Sequence, residues 1–243
     1  GEHNIAIGYQ ALDAEDTQGY NVAIGSFALT TLDADSTGNN VAVGYNAGNA
    51  MTTGIMNTII GSVAGDAITT GGYNTILGKG ALGTATTAAS NVFIGYEAGL
   101  SIPAGQALTG CVAIGKNALK GSGSTTTGAN YTIAIGENAG LSLTTGGSNV
   151  LIGEDAGGDL TTGYSNVYIG GRSSGQVATT QHTNIGIGYG TLETNNAADS
   201  CIAIGHDALA DVNHADLDGS IGIGYHALTA LTTGDKNTCI GYR

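Results

Sequence analysis

The sequence predicts an all-β fold: a parallel β-solenoid, or β-roll, of about fourteen coils with a 17-residue period. Three observations carry this. A short motif, Asn-x-x-Ile-Gly with variants, recurs fourteen times along 243 residues, with its glycines at Gly8, Gly25, Gly44, Gly61, Gly78, Gly95, Gly115, Gly136, Gly153, Gly170, Gly188, Gly205, Gly224 and Gly241. Eight of the thirteen intervals are 17 residues and the rest run from 18 to 21. Inside each motif, β-branched residues alternate with others, the pattern of a strand with one face buried.

The strand comes first. Taking the repeat glycine as position 0, the residue at −1 is aliphatic in all fourteen copies and Ile in twelve, and the residue at −3 is Ile or Val in eleven and Thr in three (Thr58, Thr75, Thr238). A 17-residue unit is too short for a pair of helices but accommodates two strands of about five residues with their turns. Such a unit cannot bury its own apolar face, so coils must stack, with equivalent strands pairing in parallel and in register. A rise of about 4.8 Å per coil then gives a rod on the order of 65 Å long. The expectation is that the Ile at −1 points inward and the residue at −2 outward. No residue at −2 is charged; Ala23, Ile59, Phe93, Leu151, Tyr168 and Gly222 are typical. A strand apolar on both faces calls for cover on both, and a second chain is the simplest cover, so the sequence predicts an oligomer.

The turn follows. The repeat glycine lets the chain turn with positive φ or approach its neighbour closely. Position +3 is Ala in eleven of thirteen copies, small where the coil is thin, and position +4 is Leu seven times and Gly five. Position −4 is Asn in ten copies, with Cys111, Thr132, Cys201 and Ser220 in the others. Stacked, these Asn side chains either form an amide ladder or open a turn. The extra residues of the longer coils fall at one place in the repeat, as at Leu32–Asn39, Leu100–Gly110, Lys120–Asn130 and Asp211–Asp218, so they should emerge as loops on one edge. Residues 1–243 read as a single repeat domain, a segment of a longer fibre open at both ends.

Composition sets the outer bounds. Forty-three glycines with a single proline and no strict G-X-Y period exclude collagen, and 41% hydrophobic residues exclude a charged disordered tail. No apolar run is long enough to span a bilayer, and Gly1-Glu2-His3 is not a basic leader. A net charge of −13 with six basic residues gives no footprint for nucleic acid or for anionic membranes. The three cysteines, Cys111, Cys201 and Cys239, show no CxxC spacing, and an odd count argues against a disulfide framework.

The units Asn21-Val-Ala-Ile-Gly25, Asn91-Val-Phe-Ile-Gly95 and Ser220-Ile-Gly-Ile-Gly224 resemble the head repeats of trimeric autotransporter adhesins, the YadA-like parallel β-roll. The longer unit opening Asn57-Thr-Ile-Ile-Gly and closing Thr69-Thr-Gly resembles repeats of bacteriophage tail fibres. The resemblance covers the whole chain, although the 17-residue unit is longer than that of adhesin heads. It implies a homotrimer on the outside of a cell or virion with an adhesive or structural role, and it carries no binding residue over.

Little in the sequence points to catalysis. Gly186-Ile-Gly-Tyr-Gly190 has the glycines of a nucleotide loop but sits on the repeat and precedes no helix. Among His3, His182, His206, His214 and His226, the nearest approach to a cluster is His206-Asp207 with His214, read as a solvated loop and not a metal site. Glu154-Asp155 reads as surface charge. Tyr follows the repeat glycine in six copies (Tyr9, Tyr45, Tyr96, Tyr189, Tyr225, Tyr242), suited to carbohydrate or protein contact or to lateral packing. Paired threonines at 52/53, 69/70, 86/87, 144/145, 161/162 and 232/233 raise ice binding as a remote reading, which the opposite orientation of adjacent strand residues argues against. The expected function is therefore non-enzymatic, with no cofactor and no metal: an extracellular trimeric fibre of the phage tail-fibre type that attaches to a cell-surface receptor or glycan. The alternative is the head of a bacterial trimeric surface adhesin. Neither nucleic acid nor membrane insertion is expected.

Overall fold

One three-residue strand per repeat carries the fold, and the computed structural model shows all of these strands parallel. It describes residues 2–14, 19–33, 38–103, 105, 108–121, 128–174, 180–195, 198–211, 217–231 and 233–242. The chain is a β-solenoid without a membrane-spanning helix among the described residues. It divides into two compact units, Gly1–Thr127 and Gly128–Arg243. The first contains β1 (Ile5–Ile7), β2 (Val22–Ile24), β3 (Val41–Val43), β4 (Thr58–Ile60), β5 (Thr75–Leu77), β6 (Val92–Ile94) and β7 (Val112–Ile114). The second contains β8 (Ile133–Ile135), β9 (Val150–Ile152), β10 (Val167–Ile169), β11 (Ile185–Ile187), β12 (Ile202–Ile204), β13 (Ile221–Ile223) and β14 (Thr238–Ile240). Within each unit, neighbouring strands pair in register, as in Thr58↔Thr75, Ile59↔Ile76 and Ile60↔Leu77. The expected loops over 34–37, 122–127 and 212–216 lie outside the described residues, as does much of 104–107.

The expected pair of five-residue strands per coil is replaced by a single strand of three. The rest of the coil turns, yet its backbone still bonds coil to coil. In the fourth coil Thr58 N–H donates to Asn74 O at 2.8 Å, Gly61 N–H reaches back to Val43 O at 2.8 Å, Val63 N–H to Tyr45 O at 2.8 Å, and Thr69 N–H forward to Thr86 O at 2.9 Å. Left-handed residues recur on this path, among them Val63 (φ 51°) at +2, Leu29 (φ 48°) at +4 and Tyr73 (φ 62°) at −5. Each such non-glycine residue costs on the order of 1 kcal/mol, and each here donates its N–H to a neighbouring coil.

The repeat glycine is fixed by two demands. Gly61 has φ +141°, and a Cβ on it would come within 2.5 Å of Gly78 O in the next coil. A side chain is barred by conformation and by the neighbour's backbone together.

The two strand faces are the reverse of the sequence expectation. From β2 to β13 the central residue, at −2, is buried, while the flanking residues at −3 and −1 are half-buried or exposed. Ala23, Ile59, Ile76, Phe93, Leu151 and Tyr168 are fully buried, and so are the +3 alanines such as Ala28, Ala64 and Ala98. The interior is narrow enough for positions −2, +4 and +7 to share one volume. Ala23 is accompanied by Leu29 and Leu32, Ala42 by Gly48 and Met51, Ile59 by Gly65 and Ile68, and Ile76 by Leu82 and Ala85. Phe93 is matched by Gly99, where a Cβ would lie 2.6 Å from Phe93 Cδ1.

Of the two readings of the Asn column, the ladder is the one observed. Asn57 Oδ1 accepts both Asn74 N–H (3.0 Å) and Asn74 Nδ2 (3.0 Å), while Asn57 Nδ2 donates to Gly71 O at 2.9 Å. The same arrangement links Asn74 to Asn91 and Asn149 to Asn166. Cys111 and Cys201 stand in this column, donating their N–H groups to Asn91 Oδ1 and Asn184 Oδ1.

Two outcomes are expected. Asn57→Leu leaves two buried donors of Asn74 unpaired, at about 1–3 kcal/mol each, and should lower stability to chemical denaturation by roughly 2–4 kcal/mol. The control Thr58→Leu, on the exposed face, should be near neutral. Phe93→Ala should cost about 3–5 kcal/mol, and Gly99→Leu alone should also destabilise. The double variant recreates the small–large pairing of Ala23 with Leu29 and should recover more than half of the loss, read as a coupling in a double-mutant cycle.

Candidate functional site

Three surface features arise from stacking. The first is the outward strand face. Positions −3 and −1 carry Val, Ile, Thr or Leu in every coil. They remain open to solvent in the single chain: Ile60 is 37% exposed, Leu77 43% and Ile187 38%. None of these strand residues is charged.

The second is an aromatic column at +1. In unit 2 it runs Tyr189, His206, Tyr225, Tyr242, with successive ring centroids 5.3 Å apart and planes within 29°. In unit 1 Phe27, at +2, meets Tyr9 and Tyr45 edge-on at 5.4 and 6.1 Å. The tyrosines pack laterally on neighbouring coils and still expose about half or more of their surface, from 45% at Tyr96 and Tyr225 to 76% at Tyr242. Both functions considered for this column are thus open to it: packing along the solenoid and a free aromatic edge.

The third is a cluster of His206, Asp207 and His226. His206 Nδ1 lies 3.0 Å and His226 Nε2 3.7 Å from Asp207 Oδ2, and all three donor atoms fall within 4.8 Å of one another. Among the described residues the partner is His226, one coil on; the expected member His214 lies outside the described residues. His182 stands apart, stacked on Tyr164 at 4.0 Å, and His3 stacks on Tyr20 at 5.0 Å.

The remaining features are structural. Gly186 is the central residue of β11, where a Cβ would meet Ser173 Oγ at 2.7 Å and Thr191 Oγ1 at 2.8 Å, so the glycine-rich stretch serves core packing. Tyr168 is buried with its hydroxyl donating to Gln181 Oε1 at 2.9 Å, and burial pushes its pKa up. Burial likewise raises the Cys201 thiol, whose Sγ donates to Leu217 O at 3.3 Å, so the thiol is held protonated and unreactive. Cys239 is the −2 residue of β14 and borders a pocket with Asp211, His226, Leu228, Thr229 and Leu231. The hydroxyls of Thr52, Thr69 and Thr144 donate to carbonyls of the next coil. Asp155 accepts Asn138 Nδ2 at 3.0 Å in its own column. Glu97 pairs with Lys120 at 2.6 Å, which holds its carboxyl below the usual range.

Compared with known proteins, the chain matches no protein-family model, no curated protein and no solved structure.

Proposed function

We infer that the chain is a non-enzymatic structural and adhesive segment of an extracellular fibre, assembled as a homotrimer and used in attachment to a cell surface in the manner of a phage tail fibre. The observation that carries this is the outward strand face. In each unit, seven consecutive coils present Val, Ile, Thr or Leu at −3 and −1, in register, half-exposed and without a charge. A continuous apolar row of that extent is the mark of a surface covered by another chain. Identical rows on identical chains favour closed symmetric assembly, and three copies repeat each binding element threefold, so weak individual contacts combine through avidity. The half-exposed tyrosines at +1 supply flat faces for a glycan or protein receptor. In three of the threonine pairs the first member, Thr52, Thr69 or Thr144, has its hydroxyl bonded to a backbone carbonyl of the next coil.

Sedimentation equilibrium should give about three times the chain mass of 23.9 kDa. Val92→Lys with Ile152→Lys, both on the outward face, should yield monomers with an unchanged circular dichroism spectrum. A stable wild-type monomer would overturn the trimer. For attachment, the wild-type protein immobilised on a surface should capture bacterial cells or bind a glycan array, and Tyr189→Ala with Tyr225→Ala should reduce binding several-fold. Equal binding by that variant removes the aromatic column from the attachment role.

A further inference from the structure

We propose that His206, Asp207 and His226 form a binding site for a divalent transition-metal ion, one that ties two successive coils together. Counted from their repeat glycines, His206 and Asp207 stand at +1 and +2 after Gly205, and His226 stands at +2 after Gly224. Coil stacking therefore places Asp207 and His226 in one column, with His206 beside them. Backbone bonds fix the register here: His226 N–H donates to His206 O at 2.9 Å, and Asp207 N–H to Tyr189 O at 2.9 Å.

The side chains are held on their far sides. The His206 ring is clamped between Tyr189 and Tyr225, with centroids 5.3 Å on either side. Gly190, one coil earlier at +2, leaves room for the Asp207 carboxylate: a Cβ on Gly190 would collide with Asp207 Oδ1. Thr229 Oγ1 lies 3.4 Å from His226 Nδ1, while its hydroxyl proton is directed to a carbonyl, either His226 O at 2.7 Å or Asp207 O at 3.0 Å. In the tautomer protonated at Nδ1, the hydroxyl oxygen accepts from Nδ1–H. That tautomer leaves the Nε2 lone pair facing Asp207 Oδ2 at 3.7 Å, two acceptors turned toward each other. A metal cation placed among these atoms would satisfy both, with a proton as its competitor.

Metal–ligand bonds of about 2.0–2.2 Å place neighbouring donors roughly 3–3.5 Å apart. The separations of 3.0 and 3.7 Å from Asp207 Oδ2 match this with small side-chain rotations. Two imidazole nitrogens with one carboxylate oxygen suit zinc, copper(II), nickel(II) or cobalt(II), not magnesium or calcium, which favour all-oxygen sets. Side-chain exposures of 47% for His206, 22% for Asp207 and 27% for His226 give an entry path and leave coordination positions for water. Binding to the folded chain alone would stabilise it by mass action. All three donors lie in unit 2, so the site stands or falls independently of trimer assembly.

The test is calorimetric titration of the full chain with zinc chloride in a non-coordinating buffer, alongside magnesium chloride. One zinc should bind per chain at this site, with a higher thermal midpoint and no comparable magnesium binding. Asp207→Asn and His226→Gln, each folded by circular dichroism, should weaken zinc at least about tenfold and abolish the thermal shift. A His3→Gln/His182→Gln/His214→Gln variant should retain both. Cobalt(II) added to the wild type gives a readout free of variants, since visible absorption should show nitrogen coordination. No zinc binding, equal magnesium binding, unchanged affinity in both site variants, or a cobalt spectrum of the hydrated ion would each overturn the proposal.

Discussion

The molecule depends on backbone meeting backbone at strand spacing around the coil, and the repeat glycine is where that meeting is tightest. A Cβ on Gly61 would strike the carbonyl of Gly78, and the same close approach recurs at Gly8 against Gly25. Once the glycines touch, every other residue is placed by its offset from them. N–H groups on the turns, not only on the strands, find acceptors one coil away. This is how a unit with three strand residues builds a continuous structure, and why left-handed leucines and tyrosines are tolerated outside glycine: the backbone bonds they secure offset the local conformational cost.

Register then turns composition into columns. The Asn column becomes a buried ladder because each side chain has one acceptor and two donors, and the coil on either side supplies partners for them. The interior columns trade volume, large at −2 against small at +4 or +7, so that a narrow core stays filled as the residues change from coil to coil. On the surface the same stacking aligns aromatic rings at +1 and brings Asp207 beside His226 across 19 residues of sequence.

The repeat, the parallel stacking, the glycine's two demands and the small +3 position were all legible in the sequence, because each follows from spacing and residue size. The facing of the strand was not. Alternation defines two faces without saying which is inside, and both faces of these strands are apolar. A signal was nonetheless present: the residue at −2 varies from Gly to Tyr and co-varies with +4, as core positions must, whereas −1 and −3 stay uniformly aliphatic or Thr whatever the coil contains. The single short strand is not legible in the sequence, because nothing in the residue pattern marks Leu29 or Tyr73 as left-handed. Proximity along the chain points from His206-Asp207 to His214, whereas equal offset from the repeat glycine, +2 for both, pairs Asp207 with His226.

With the −2 column inside, any partner chain would have only the β-branched face to cover. The −2 column needs no partner, since the chain's own turns bury it. The surface that remains uncovered is the β-branched one, and its surroundings matter as much as its own chemistry. Nineteen acidic residues face six basic ones in the sequence, and among the described residues every charged one lies outside the strands. Copies approaching through those edges would bring like charges together, a repulsive term that works against edge-on or disordered association. The strand face is free of that term and gains from leaving water. Attraction confined to one row with repulsion spread over the rest would select a single mode of contact between copies.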